Sequence, residues 1–153
     1  MRVLFWSGTF WPHIGGVEVL AAKFLPALSK RGYEYMVVAS KFHPDAADAA
    51  LYKGIPVYRF SFHNDLTASR IDHLVAIRRK VTQLKQAFAP DLIHINAVGP
   101  ADFFHLATTN AHAAPSLVTL HGQWNDQIET IVRDTLRAAH WVVGCSAAIL
   151  DRG

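Results

Sequence analysis

Short, almost wholly apolar runs alternate along this chain with longer segments whose apolar residues recur every three or four positions. The runs cover residues 3–6, 35–39, 57–60, 92–95, 117–120 and 141–145. Each is too short for a helix and too apolar for a strand with one wet face. The intervening segments 17–31, 66–88, 101–110 and 126–139 carry helical spacing, and a further helix begins at residue 147. In residues 17–31 the stripe is Val17, Leu20, Ala21, Phe24, Ala27 and Leu28, with Gly32 as the stop. Pro26 sits inside that segment and should kink the helix. In residues 66–88 the stripe is Ile71, Leu74, Ile77, Val81, Leu84 and Phe88, ended by Pro90. Residues 44–50, rich in Ala and Asp, read as a loop or a short helix. Strands that alternate with helices give a doubly wound parallel sheet with helices on both faces, an α/β Rossmann-like fold. No linker or repeat divides residues 1–153, so a single domain is expected.

Composition narrows the function classes. Hydrophobic residues make up 51% and charged residues 18% of the 153, which excludes a disordered chain. The lone cysteine, Cys145, can form neither an intrachain disulfide nor a thiolate zinc site. It reads as a buried, inert thiol in a reducing compartment, and the cytoplasm is the expected location. A net charge of +3 is too weak to argue for a nucleic-acid partner. The start of the chain lacks the pattern of a signal peptide. No apolar run approaches the ~20 residues of a spanning helix, so the chain is expected to be soluble or at most attached to a membrane surface.

In open parallel sheets ligands bind beyond the carboxyl ends of the strands, which directs attention to four strand exits. The first runs from Ser7 through Trp11, Pro12, His13 and Ile14 to Gly15, Gly16, Val17 and Glu18. Paired glycines at a helix start allow backbone N–H groups to approach a phosphate or diphosphate; equally, they could serve a tight turn at positive φ. The spacing is neither G-x-G-x-x-G nor a Walker loop, and the second strand ends in Ser40-Lys41 where a dinucleotide site needs an acid. NAD and ATP are set aside on these grounds. At the second exit His94 lies within the strand and reads as a core or rim histidine, while Asn96 and Gly99 are better placed to face a cleft. At the third, His121-Gly122 puts an imidazole at a strand tip beside a residue that permits close backbone approach; a local hydrogen bond is the alternative. At the fourth, Ser146 reads as a helix N-cap.

Taken in order, these segments resemble the N-terminal half of a family 4 glycosyltransferase of the GT-B fold. The residues that carry the resemblance are Arg2-Val3-Leu4-Phe5, Pro12 to Glu18, Leu28 to Glu34, Pro90 to His94, Val118 to Gly122 and Val142 to Ser146. The resemblance implies two Rossmann-like domains facing each other across a cleft, with the acceptor held mainly by the N-terminal one and a nucleotide-sugar by the C-terminal one. It implies a metal-independent transfer that retains anomeric configuration and needs no cofactor. It assigns Gly15 and Gly16 to the donor diphosphate and His121 to the donor sugar near the reacting centre. It leaves Trp11, His13, Glu18, Asn96 and Gly122 as acceptor or cleft candidates. For Glu18 a solvated or capping role is the alternative. Asn96 stands where many members carry histidine. The donor-binding C-terminal domain is not represented in these 153 residues, so the chain alone is expected to be inactive. The alternatives are a non-catalytic sugar- or partner-binding α/β domain, or another GT-B relative such as a nucleotide-sugar epimerase.

Residues 66–88 also carry Arg70, Arg78, Arg79, Lys80 and Lys85 against one acid, Asp72. In similar enzymes with lipid-linked acceptors a basic face of this domain meets anionic lipid. A peripheral membrane contact through Arg78, Arg79, Lys80 and Lys85 is therefore expected, with a solvated face as the alternative.

Overall fold

The computed structural model describes residues 1–43, 45–68, 70–96, 98–122 and 129–150. Six of its seven strands follow the apolar runs: β1 (Arg2–Ser7), β2 (Glu34–Ser40), β4 (Ile55–Phe60), β5 (Leu92–Asn96), β6 (Ser116–Leu120) and β7 (Trp141–Gly144). The seventh, β3 (Ala49–Tyr52), pairs antiparallel with β4. The sheet order is β3-β4-β2-β1-β5-β6-β7, and every other pairing is parallel. From β1 the chain winds outward through β2 and β4, then returns to add β5, β6 and β7 on the other side. This is the doubly wound Rossmann-like arrangement, and its topological switch lies between β1 and β5.

Successive side chains of the central strands enter two cores. Val3, Phe5, Val37 and Ala39 pack with Ala21 and Leu25 of α1 (Gly16–Ser29) on one face. Leu4, Trp6, Val38, Ile93, Ile95 and Val118 pack on the other face with α3 (Ile71–Phe88) and α4 (Asp102–Leu106). Burial on both faces is why the strands are apolar throughout instead of alternating.

Several expectations change. Of the segment 44–50, residue 44 lies outside the described residues and residues 45–50 do not form a helix: the part from Ala49 onward belongs to β3, and the hairpin turns at Lys53 and Gly54, with φ of 49° and 85°. Two consecutive positive φ angles suit a tight two-residue turn. The segment 66–88 is two helices, α2 (Phe62–Thr67) and α3, and Ile71 at the start of the expected stripe lies exposed. In α1 the stripe is rotated, so that Leu25 is buried and Leu20 exposed. Pro26 lies within α1, leaving the carbonyl of Ala22 without its usual helical donor, and the Tyr52 hydroxyl donates to it at 3.3 Å. The segment 101–110 holds only α4 and a 3₁₀ turn (Thr109–Ala111). The expected start of the fifth helix, residues 126–128, lies outside the described residues, and α5 is described over Glu129–Ala138. Among the described residues β7 pairs on one side only, with β6, and Trp141, Val142 and Val143 are exposed. Cys145 beyond them is exposed too, not buried as expected. Ser146 immediately precedes α6 (Ala147–Leu150).

Candidate active site

The carboxyl ends of β1 and β5 part at the switch point, and the residues there hold one another in place. Ser7, the last residue of β1, donates its hydroxyl to the carbonyl of Thr9 at 2.7 Å and to that of Asn96 at 3.4 Å. Asn96 ends β5 and is paired in register with Thr119 of β6. That register brings His121, just past β6, alongside: its Nε2 lies 2.9 Å from Asn96 Oδ1. Burial lowers the His121 pKa from its ordinary value, and the charge of Glu18 opposes the shift. The imidazole is therefore neutral at neutral pH.

α1 begins at this crevice, with Gly15 as its N-cap and Gly16 as its first residue. Gly15 is extended (φ −154°, ψ 174°), and among the described residues the glycines at positive φ are Gly32 and Gly54. The glycine pair therefore does not serve a positive-φ turn. Gly15 makes room instead: a side chain there would run into the Glu18 carboxylate. Glu18 is buried and accepts a hydrogen bond from the Thr9 hydroxyl, so the solvated alternative for it falls. A Cβ on Gly16 would meet open space. The helix start is thus covered by Glu18 on its Gly15 side and open at Gly16. An anion approaching there would meet first-turn N–H groups that have no intrahelical acceptor.

The remaining candidates are distributed around this centre. Gly122 is exposed directly after His121, and a Cβ there would also meet open space. Trp11 packs at 5.3 Å against Tyr52 of β3, and His13 lies 6.1 Å from Phe42. Both are exposed on the far arm of the β1–α1 loop, on the β3–β4 side of β1, away from β5 and β6. The structure therefore brings together Gly15, Gly16, Glu18, Asn96 and His121, and keeps Trp11 and His13 apart from them. His94 is part of the core side, as its place in the strand suggested. Its Nε2 meets Thr119 Oγ1 at 2.8 Å, its ring stands edge-on to Phe5, and burial, then His121, pushes it down to about 4.

The basic face needs one correction. Arg78, Arg79 and Lys80 are exposed, but Lys85 is fully buried. Its ammonium donates to the carbonyls of His105 and Thr108 at 3.1 and 3.3 Å and sits 5.8 Å from the Trp6 ring. It cannot touch a lipid surface. Burial pushes it down to about 7.

Three residues near the site had no motif to announce them. Thr9 anchors Glu18. Arg59, buried at the end of β4, donates to the carbonyls of Trp11 and Ala47 at 2.6 and 3.1 Å and so ties down the β1–α1 loop. Asp102, also buried, accepts from the Gly99 N–H at 2.9 Å and shapes the loop after β5. Burial pushes its pKa up to about 7, opposed by Gly99 and by the nearby Trp6 indole, which falls short of hydrogen-bond geometry. Apart from the site, a cavity of about 430 Å³ lies against Ile93, Ser116 and His140, at the opposite ends of β5 and β6.

The family model for Glycosyltransferase Family 4 matches residues 14–152, from just before the glycine pair to beyond β7. The chain belongs to glycosyltransferase family 4. Its fold is similar to that of a sucrose-phosphate synthase from Thermosynechococcus elongatus, with a TM-score of 0.75 at 15% identity. The match covers 99% of this chain and 44% of that one, so the chain spans less than half the length of this relative. The calicheamicin glycosyltransferase CalG4 matches more distantly, at 17% identity and a TM-score of 0.48 over 89% of this chain and 34% of that one. No curated protein matches the sequence. A glycosyltransferase-type, GT-B N-terminal domain with a Rossmann-like sheet is therefore established. No helix among the described residues is long and apolar enough to cross a membrane.

Proposed function

We propose that this chain forms the acceptor-side wall of the cleft in a retaining glycosyltransferase, which moves a sugar from a nucleotide-sugar to an acceptor. The observation that supports this reading most is the meeting of an open helix start at Gly16 with a neutral His121 at one switch point. A retaining transfer builds positive charge at the anomeric carbon and negative charge on the departing diphosphate. A group accelerates it only by stabilising those charges more in the transition state than before it. Backbone N–H groups at Gly16 and Val17 are fixed dipoles aimed at the position of the diphosphate, and they need no reorganisation as charge develops. This reading gives that work to the backbone and not to a metal. His121 orients the sugar through a hydroxyl or through its own carbonyl, and does not act as nucleophile. Glu18, tied to Thr9, holds the helix start in shape. Trp11 and His13 line the outer loop where an acceptor would lie, lipid-linked or free.

The donor nucleotide belongs to a second domain across the cleft, so the 153-residue chain alone transfers no sugar. The test is a panel of nucleotide-sugars offered to the protein that joins this chain to such a domain, with the anomeric configuration of the product read by NMR. Transfer with retention supports the reading, and inversion overturns it. Transfer by the 153-residue chain alone would overturn the two-domain account. Tight sugar binding without turnover would favour a non-catalytic binding domain.

A further inference from the structure

We infer that Asn96 is a positioning residue that holds His121 as a single neutral tautomer, with the proton on Nε2 and the lone pair of Nδ1 offered to a hydroxyl of the bound sugar. The inference rests on the proposed placement of the sugar beside His121. Its physical basis is independent of that placement.

An amide oxygen only accepts hydrogen bonds. With Asn96 Oδ1 at 2.9 Å from His121 Nε2, that nitrogen must carry the proton. In a neutral ring the other nitrogen then carries the lone pair. Nδ1 has no hydrogen-bond partner among the described residues, and the ring is only half-buried, so the acceptor is available to a ligand. Among the described residues, the polar and charged groups that face the ring are Asn96, Glu18 and His94. His94 is itself neutral and engaged with Thr119, so it does not compete for the His121 proton. The carbonyl of His121 accepts from Cys145 Sγ at 3.6 Å, which steadies the backbone that carries the ring.

Asn96 is suited to this work by its immobility. It is only 2% exposed, with its own carbonyl held by Ser7. Among the described residues its Nδ2 is buried without a partner, so no other hydrogen bond from them sets the direction of the amide, and the His121 contact does so. A carboxylate at position 96 would raise the His121 pKa and favour imidazolium. An amide fixes the tautomer without adding charge. The consequence is chemical selectivity: a neutral Nδ1 accepts from a sugar O–H and rejects an anion, leaving the diphosphate to the helix start.

The test uses this chain, labelled with ¹⁵N, at neutral pH without ligand. Two-bond ¹H–¹⁵N correlations report each ring nitrogen, and His121→Gln assigns the signal among the 9 histidines. The expected spectrum has a pyrrole-type Nε2 and a pyridine-type Nδ1, in one tautomer. Asn96→Leu, similar in bulk but without an acceptor, should give averaged shifts from a tautomer mixture. A pyrrole-type Nδ1 in the wild type overturns the inference, as does an unchanged single tautomer in a folded Asn96→Leu. If the variant does not fold, the wild-type spectrum still decides. Because no substrate is present, a failed transfer assay leaves this result standing. A failed tautomer assignment likewise leaves the transfer reading standing.

Discussion

Replacing Lys85 by Met removes an amine that the fold buries completely. In the native chain burial pushes that amine down to about 7 from an ordinary 10.5. Between those values the unfolded chain holds a proton that the folded chain does not, so stability rises with pH across the window. Below about pH 7 both states are protonated and the dependence disappears. A single proton corresponds to about 1.4 kcal/mol per pH unit, so moving from pH 7.5 to 9.5 adds at most about 2.7 kcal/mol. Burial also places Asp102 at about 7, His94 at about 4 and His105 at about 3, all below that interval. The assay is urea unfolding at the two pH values, for wild type and Lys85→Met. The wild-type midpoint should climb and that of the variant should stay level. At pH 7.5 the wild type still strips a proton from this amine on folding, whereas the variant has none to lose but leaves the His105 and Thr108 carbonyls without their donor, so any wild-type advantage should be smallest there. Parallel changes in both proteins would refute the assignment of the pH dependence to Lys85.

Other consequences are open to simple measurement. Arg78, Arg79 and Lys80 remain exposed on α3, and we propose them as a peripheral contact to anionic lipid worth about 1 kcal/mol per basic group. Co-sedimentation should favour anionic over neutral vesicles, fall in the triple Gln variant and survive Lys85→Met; equal recovery from both vesicle types would dismiss the contact. Gly16→Ala should leave folding intact or stabilise it by about 0.4–1 kcal/mol through the unfolded chain. Gly15→Ala should displace Glu18 from Thr9 and cost up to about 1.5–3 kcal/mol, the scale of a charged hydrogen bond; thermal melts that reverse this order would contradict the packing described. Trp141, Val142 and Val143 on the outer edge of β7 should drive concentration-dependent association. Sedimentation should show it weakened by Val143→Lys, and a monomer at every concentration would contradict it.

The sheet was legible because burial on both faces forces the strand residues to be apolar, and the helices between them have no other way to cover those faces. The β3–β4 hairpin was not, because β3 lies at the edge and Ala49–Tyr52 opens with two alanines, weak strand formers that continue the Ala/Asp-rich run before them. Its signal was the Lys53-Gly54 pair, two residues between strands. Lys85 was misread as surface on its charge alone. Its spacing said otherwise: it follows Ile77 and Val81 at four-residue intervals, on the stripe that faces the core. The glycine pair and His121 were visible as strand-exit features. Their meeting with Asn96 was not derivable locally, since 25 residues separate Asn96 from His121 and only the β5–β6 register joins them. Thr9 and Arg59 lack any motif because their partners are a distant carboxylate and backbone carbonyls.

The central claim is that His121 and the open helix start at Gly16 act on one reacting sugar. Turnover of His121→Ala and Gly16→Val, in the protein that carries both halves of the cleft, tests it most directly. His121→Ala should lower turnover by about 10²-fold or more, the scale of losing one preorganised polar contact. Its thermal melt should barely move, because a half-buried residue at the strand tip leaves little cavity. Gly16→Val should fall comparably, as its side chain fills the space left for the diphosphate. Wild-type turnover in both variants would contradict the account.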